Sequence, residues 1–512
     1  MADDVTRYDE VEAYCDRLSY APGDTVALHV ASRAERYDVA VHRWGATRDL
    51  VWEAHDVAGT EHPTPPDADA RGCGWPAGLH VPVEVSWRSG FYLVTLTAQR
   101  GTPGRDVGHA GFVVRAGADR ADALLVLATN TYNAYNNWGG RSLYTGGTQV
   151  SFDRPFGRGL LERPPTERDD RKARPRYRGE EPDVDGQIYQ EHRYALGYPG
   201  YMSSSGWFTY ERRFVEWAEA NGHTFDYAVS SDLELDSAVA DGYRLLLGVG
   251  HDEYWSAPQR ATVEDHVARG GNYASFSGNT MFWQVRLEDT GRTMVCFKYA
   301  AHRVDPVLGT DAERTMTGMW ADPVVGRPEA AFLGAGSAWG LYNRFGQATP
   351  RGSGAFTVYR DDHWLFEGTG LRYGDLLGAD DGVVGYETAG CRITFDEYQL
   401  PVRAGGDATP DDLEVVAFTP SSNLAYGEYP ASIAALDDQG DLEAIAERIH
   451  GDRSEDSLRR VRHGNAVMVV GHPFIGGGEV VTVGTTDWVY GLGARDAAVG
   501  RVTANVLTRL SG

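Results

Sequence analysis

Positive charge is scarce in this chain. Its 512 residues carry 48 Lys and Arg against 73 Asp and Glu, a formal net charge of −25. A surface that acidic repels phosphate backbones and anionic lipid headgroups, so neither nucleic acid nor a membrane is an expected partner. Lysine occurs only at Lys172 and Lys298, a compositional bias to which no mechanism is attached. Long apolar runs are missing too: none approaches the roughly 20 residues of a membrane span. "MADDVTRYDE" has neither the basic start nor the apolar core of a secretory leader. The expectation is a soluble, cytoplasmic protein. Cysteine is confined to Cys15, Cys73, Cys296 and Cys391, with no CxxC spacing. That argues against a disulfide framework and against a thiolate zinc site, and leaves buried free thiols.

What is present suits a globular protein of two or three domains, with 42% hydrophobic and 24% charged residues. Up to about residue 116, segments such as "DTVALHVAS", "DVAVHRWG" and "GFYLVTLTAQ" alternate apolar and polar positions between turn signals. Alternation with period two is that of half-buried strands, and their spacing predicts an immunoglobulin-like β-sandwich over 1–116. From Ala121 the pattern becomes strand, loop, helix, strand. "ERRFVEWAEANG" spaces Phe214, Trp217 and Ala218 for a helix stopped at Gly222. "GYRLLLGVGHDEYW" and "GGNYASFSGNTMFW" flank a second helix. This βαβ rhythm predicts a doubly wound parallel sheet over 117–512. A β-rich insertion is expected at about 305–420, a closing helix near the C-terminus, and an exposed, Pro-rich charged loop over 162–186 that could serve as a lid.

Three polar loops follow the apolar strands: "TYNAYNNWGGRSLY", "GHDEYW" and "SGNTMFW". Asn, Gly and Trp at that density favour irregular backbone, and loops at the carboxyl ends of parallel strands share one edge of a sheet. Tyr135, Tyr144, His251, Glu253 and Asn279 are therefore expected to converge in one pocket. Taken singly, each has an ordinary reading: a His–carboxylate hydrogen bond, a helix-capping Asn, packed phenols.

In order along the chain, "YNAYNNWGG...SLY", "GHDEYW", "GNTMFW" and "VGYETAG" resemble the large subunit of N,N-dimethylformamidase and its relatives, from about Leu124 onward. The start, "YCDRLSYAPGDTVALHV", resembles that family's N-terminal sandwich. The resemblance implies a mononuclear iron, Fe(III), held by two tyrosines and a glutamate in a domain similar to the glutamine amidotransferase fold. On the matching positions the ligands would be Tyr135, Tyr144 and Glu253, with Tyr132 the nearest competitor for the first. His251, Asn279 and Glu387 would surround the metal.

This ligand set is chemically coherent. A phenol with a pKa near 10 binds as phenolate only to a strongly Lewis-acidic cation, and hard oxygen donors suit ferric iron better than zinc. The expected reaction is hydrolysis of a small amide, with Glu387 as general base, His251 orienting or relaying the proton, and Asn279 donating to substrate or oxyanion. Relatives assemble into oligomers, so a homo-oligomer is possible, and the need for a small partner subunit stays open. The sequence departs from that enzyme in its shorter N-terminal portion and in the charged loop, which leaves the substrate unassigned. A non-catalytic carbohydrate-binding or scaffold protein is the alternative. A cysteine-dependent amidotransferase is disfavoured, because "GVGHDEYW" has His-Asp-Glu where the nucleophile would stand.

Overall fold

The computed structural model describes residues 9–163, 197–198, 201–345, 354–429, 440–493 and 497–512. Beyond Arg163 the expected charged loop lies outside the described residues. The fold is mixed α/β, with parallel and antiparallel pairing. The chain divides into two compact units. One holds the described residues of Met1–Arg168, Ile188–Val239 and Leu287–Val295, and the other those of Ala240–Arg286 and Cys296–Gly512.

In the first unit two sheets enclose one core. Val11–Cys15, Thr25–Ser32 and Ala77–Pro82 form an antiparallel sheet. The second sheet runs in the order Ser19–Tyr20, Val107–Val114, Gly90–Ala98, Arg36–Trp44, Arg48–Ala58. Along Arg36–Trp44 the residues Tyr37, Val39 and Val41 are buried and those between them are not, the alternation read from the sequence. Val26 and Leu28 from one sheet meet Val39, Val41, Val94 and Leu96 from the other, and each such side chain contributes about 2 kcal/mol by leaving water.

The same unit contains the parallel pair Ala123–Leu127 and Asp226–Val229 and the helix Glu211–Ala220, which buries Phe214, Val215 and Ala218. Arg43 of the sandwich pairs with Glu219 of that helix at 2.6 Å, and the Trp44 indole donates to Glu216 at 3.0 Å. The boundary expected near residue 116 therefore falls inside a compact unit.

The second unit begins with the predicted βαβ crossover. Leu245–His251 pairs in parallel with Asn272–Gly278, which pairs in parallel with Val480–Thr482. Every residue of Leu245–His251 is buried, which is why the segment is apolar without alternation. The connecting helix Ala257–Ala268 starts where the Ser256 hydroxyl accepts from the Gln259 N–H, with Pro258 in its first turn. It ends at Gly270, whose φ of 96° suits glycine.

Past Val480–Thr482 the pairing turns antiparallel, to His463–Gly471 and then Glu414–Ser422. The region expected as a β-rich insertion supplies short strands that extend this same sheet, among them Tyr342–Asn343, Phe356–Val358 and Tyr386–Glu387. The closing helix, Ala497–Ser511, buries Val499, Val502, Val506 and Leu510.

One buried acid in this unit makes stability pH-dependent. Burial raises the Glu329 carboxyl from 4.5 to about 7; one oxygen accepts from the Ser337 N–H, and the other has no hydrogen-bond partner among the described residues. Between those two pKa values the folded state binds more protons than the unfolded chain, so stability is highest on the acid side and falls as pH rises. The loss at pH 8 is on the order of 3 kcal/mol. Glu329→Gln is expected to abolish this fall in urea-unfolding curves recorded between pH 5 and 8.

Candidate metal centre

Strand Leu245–His251 ends by delivering His251, and Glu253 follows two residues later at the start of the next polar loop. Alongside, Asn272–Gly278 ends opposite it, with His251 in register with Gly278. Asn279 then turns the chain at a φ of 49°, a left-handed conformation that Asn tolerates better than most residues. Glu387 arrives from the distant antiparallel strand pair Tyr342–Asn343/Tyr386–Glu387. This pair can approach because residue 278 is glycine. A Cβ there would lie 2.4 Å from the Glu387 carbonyl oxygen and 2.4 Å from the Thr486 nitrogen. Tyr386 is held at a φ of 37°, a strained setting for a bulky residue that costs about 1–3 kcal/mol. Its ring stands edge-on to His251, 5.9 Å away.

Four of the six side chains expected at the metal, His251, Glu253, Asn279 and Glu387, meet in this unit. Glu387 Oε2 accepts from Asn279 Nδ2 at 2.9 Å and lies 2.6 Å from His251 Nε2. That same nitrogen is 3.4 Å from Glu253 Oε2. One ligand atom from each of His251, Glu253 and Glu387 lies within 4.8 Å of the others, and none of the three residues is more than 4% exposed. Two carboxylates this close and this dry repel unless a proton or a cation lies between them. Asn279 Oδ1 is buried without a hydrogen-bond donor among the described residues, an acceptor left for a ligand. Oxygen donors with one imidazole suit a hard first-row metal ion. This cluster could therefore hold a metal ion.

The tyrosines belong to the first unit. The sequence led to irregular backbone after Ala123–Leu127; instead Thr129–Tyr135 is a fully buried helix. The amide of Asn136, just past the helix end, serves the chain that follows. Asn136 accepts from the Trp138 and Gly157 N–H groups and donates to the Pro155 carbonyl. The buried Arg154 guanidinium donates to the carbonyls of Trp138, Asn136 and Ser151. On this support the Tyr135 and Tyr144 rings stack 4.1 Å apart. Tyr132 packs elsewhere, edge-on to Phe156.

Sequence reasoning missed Tyr201, whose ring closes on Tyr144 at 4.9 Å and on Tyr135 at 5.7 Å; no local spacing connects it to them. It also missed Gly278, which has no side-chain chemistry, and Tyr386, whose ring faces His251. The four cysteines are free and buried, and burial pushes the Cys15 and Cys391 thiols well above their usual range. Neither of those two is a ready thiolate nucleophile.

Fold and centre together define an α/β protein with a buried, metal-competent carboxylate–imidazole cluster at the carboxyl ends of parallel strands, where such folds carry their sites. The family described as N,N-dimethylformamidase beta subunit-like, C-terminal, matches residues 36–500. This chain belongs to that family. It is also similar to the N,N-dimethylformamidase beta subunit of an Alcaligenes species, with 26% identity over 227 residues. That stretch is 42% of this chain and 27% of the relative, so the match spans about a quarter of the relative's length. Among the described residues no helix is long and apolar enough to cross a membrane.

Proposed function

We propose that this chain is an amidohydrolase that hydrolyses the C–N bond of a small linear amide with the help of a single bound Fe(III). The observation that carries the reading is the buried meeting of His251, Glu253, Asn279 and Glu387 in a member of this family. Tyr135, Tyr144 and Glu253 are assigned as the iron ligands. The stacking of Tyr144 on Tyr135 rather than on Tyr132 supports that choice. We further assign the sandwich to the immunoglobulin-like class and the sheet that carries His251 to the amidotransferase-like class. A cytoplasmic location belongs to the same reading.

Bound iron supplies Lewis acidity, which polarises an amide carbonyl and acidifies water. The chain's own groups move the protons. Glu387 Oε2 takes one from the attacking water as the new C–O bond forms, then delivers it to the amine nitrogen as the C–N bond breaks, leaving a carboxylic acid and an amine. His251, 2.6 Å from that oxygen, orients the carboxylate and shares the proton. Asn279 steadies Glu387 through one N–H at 2.9 Å and keeps the other for the developing oxyanion. Burial excludes bulk water, so these interactions act in a low dielectric. The Alcaligenes relative is by its name one subunit of an enzyme, and an assembly with further copies or a small second chain is part of this proposal.

The test is metal analysis with a visible spectrum of the purified protein. The expected result is about one iron per chain and a tyrosinate-to-iron absorption band. Tyr135→Phe and Tyr144→Phe each weaken or shift the band, and Glu253→Ala loses the iron. A colourless protein that takes up no iron overturns the reading.

A further inference from the structure

Behind the Glu387 strand pair lies another buried carboxylate. Asp441 opens the helix Asp441–His450 and is 6% exposed. Three phenols donate to it: Tyr299 to Oδ1, Tyr342 to Oδ2 at 2.7 Å and Tyr429 to Oδ2 at 2.5 Å. Burial raises the Tyr342 and Tyr429 phenols well above their usual range, so both stay neutral donors at physiological pH.

Two of these tyrosines lead to the two carboxylates of the metal centre. Tyr342 faces Glu387 directly in the antiparallel pair, and its ring lies 6.4 Å from that of Tyr386, the residue that stands against His251. Tyr299 stands edge-on to Trp283 at 5.0 Å. The Trp283 N–H donates to the Glu253 carbonyl at 3.0 Å, and Trp283 pairs with Tyr254 in the strand that follows Glu253. Asp441 therefore grips the Glu253 wall through one oxygen and the Glu387 wall through the other. Only a carboxylate offers acceptors in both directions; an amide of the same shape would hold one wall and present N–H groups to the other.

We propose that Asp441 is a positioning residue that sets the separation of Glu253 and Glu387, acting through Tyr299 and Tyr342. The inference rests on the reading of Glu253 as an iron ligand and Glu387 as the general base. It gives a reason for a buried acid with three phenol donors at a distance from the chemistry, because a misplacement of about 1 Å costs catalysis about 100-fold.

The experiment compares Asp441→Asn, Tyr299→Phe and Tyr342→Phe with Ser454→Ala. Ser454 caps the helix Glu455–Arg462, and its loss lowers stability without touching the centre. Crystal structures give the separation of the Glu253 and Glu387 carboxyl groups, which is expected to shift in the first three variants and to stay put in Ser454→Ala. With N,N-dimethylformamide or the best amide of a short linear panel, kcat is expected to fall about 10- to 100-fold in those three variants, with KM changed by less than about twofold. An unchanged separation, or a kcat no lower than that of Ser454→Ala, overturns the proposal. If Asp441→Asn fails to fold, Tyr342→Phe carries the comparison, since it removes one hydroxyl alone. Because the separation is read without substrate, a wild type that hydrolyses no amide counts against the hydrolase reading, and the structures still decide the role of Asp441.

Discussion

On the proposed amidohydrolase reading, Glu387→Gln is expected to lower kcat for amide hydrolysis by about 10²- to 10⁴-fold while the protein keeps its fold and whatever iron the wild type binds. The amide has the shape of the carboxylate and can stay within reach of Asn279 and His251, which lie 2.9 Å and 2.6 Å from Glu387 Oε2. It has no basic oxygen to accept a proton from water. Relief of the repulsion with Glu253, which shares the same imidazole nitrogen, leaves stability unchanged or slightly raised. The measurement is kcat against iron content in the same preparation. Turnover near that of the wild type at full iron occupancy would remove Glu387 from the role of general base.

Gly278→Ala is expected to be the most damaging single-methyl change in the centre. The new Cβ would meet the Glu387 oxygen and Thr486 nitrogen at 2.4 Å and the Thr485 carbonyl carbon at 2.8 Å. All three are backbone atoms with no rotamer to yield, so the Glu387 strand or the end of Asn272–Gly278 has to shift. The expected cost is about 2–4 kcal/mol in unfolding free energy. Activity is expected to fall at least about 100-fold, because Glu387 moves with its backbone. Gly117→Ala is the control. Its Cβ would meet only Pro22, at an ordinary 3.6 Å, and stability should change by less than about 0.5 kcal/mol. Denaturation midpoints of the two variants, measured beside the wild type, check the contrast. Equal midpoints would show that the close approach at Gly278 is not what seats the Glu387 strand.

Both outcomes turn on contacts that local sequence does not display. Much of the scaffold is legible there. The period-two alternation of Arg36–Trp44 announces a strand with one face in a core. The spacing of Phe214 and Ala218 announces the helix Glu211–Ala220. Ser256 with Pro258 on one side and Gly270 on the other bracket the crossover helix. These signals survive because each is enforced by its own few residues: a cap, a turn glycine, a repeat of burial. The segment Thr129–Tyr135 shows the limit. Asn and Thr there are poor helix formers by intrinsic propensity, yet every residue is buried in a helix. Surrounding residues cover all sides of it, and the Tyr135 ring stacks on Tyr144 while Tyr132 packs against Phe156.

By itself, then, the sequence determined the alternation of strands and helices and the polar residues that follow the strands, together with the motif order that marks the family. Only the tertiary structure decided which of those residues meet. Glu387 lies on a strand of two residues, and it reaches His251 because Gly278 lets one backbone pass against another. Asp441 has no neighbour in sequence that betrays its hold on both walls. Side chains from distant parts of the chain become partners through close packing, and packing is a property of surfaces that exist only once the elements have been brought together.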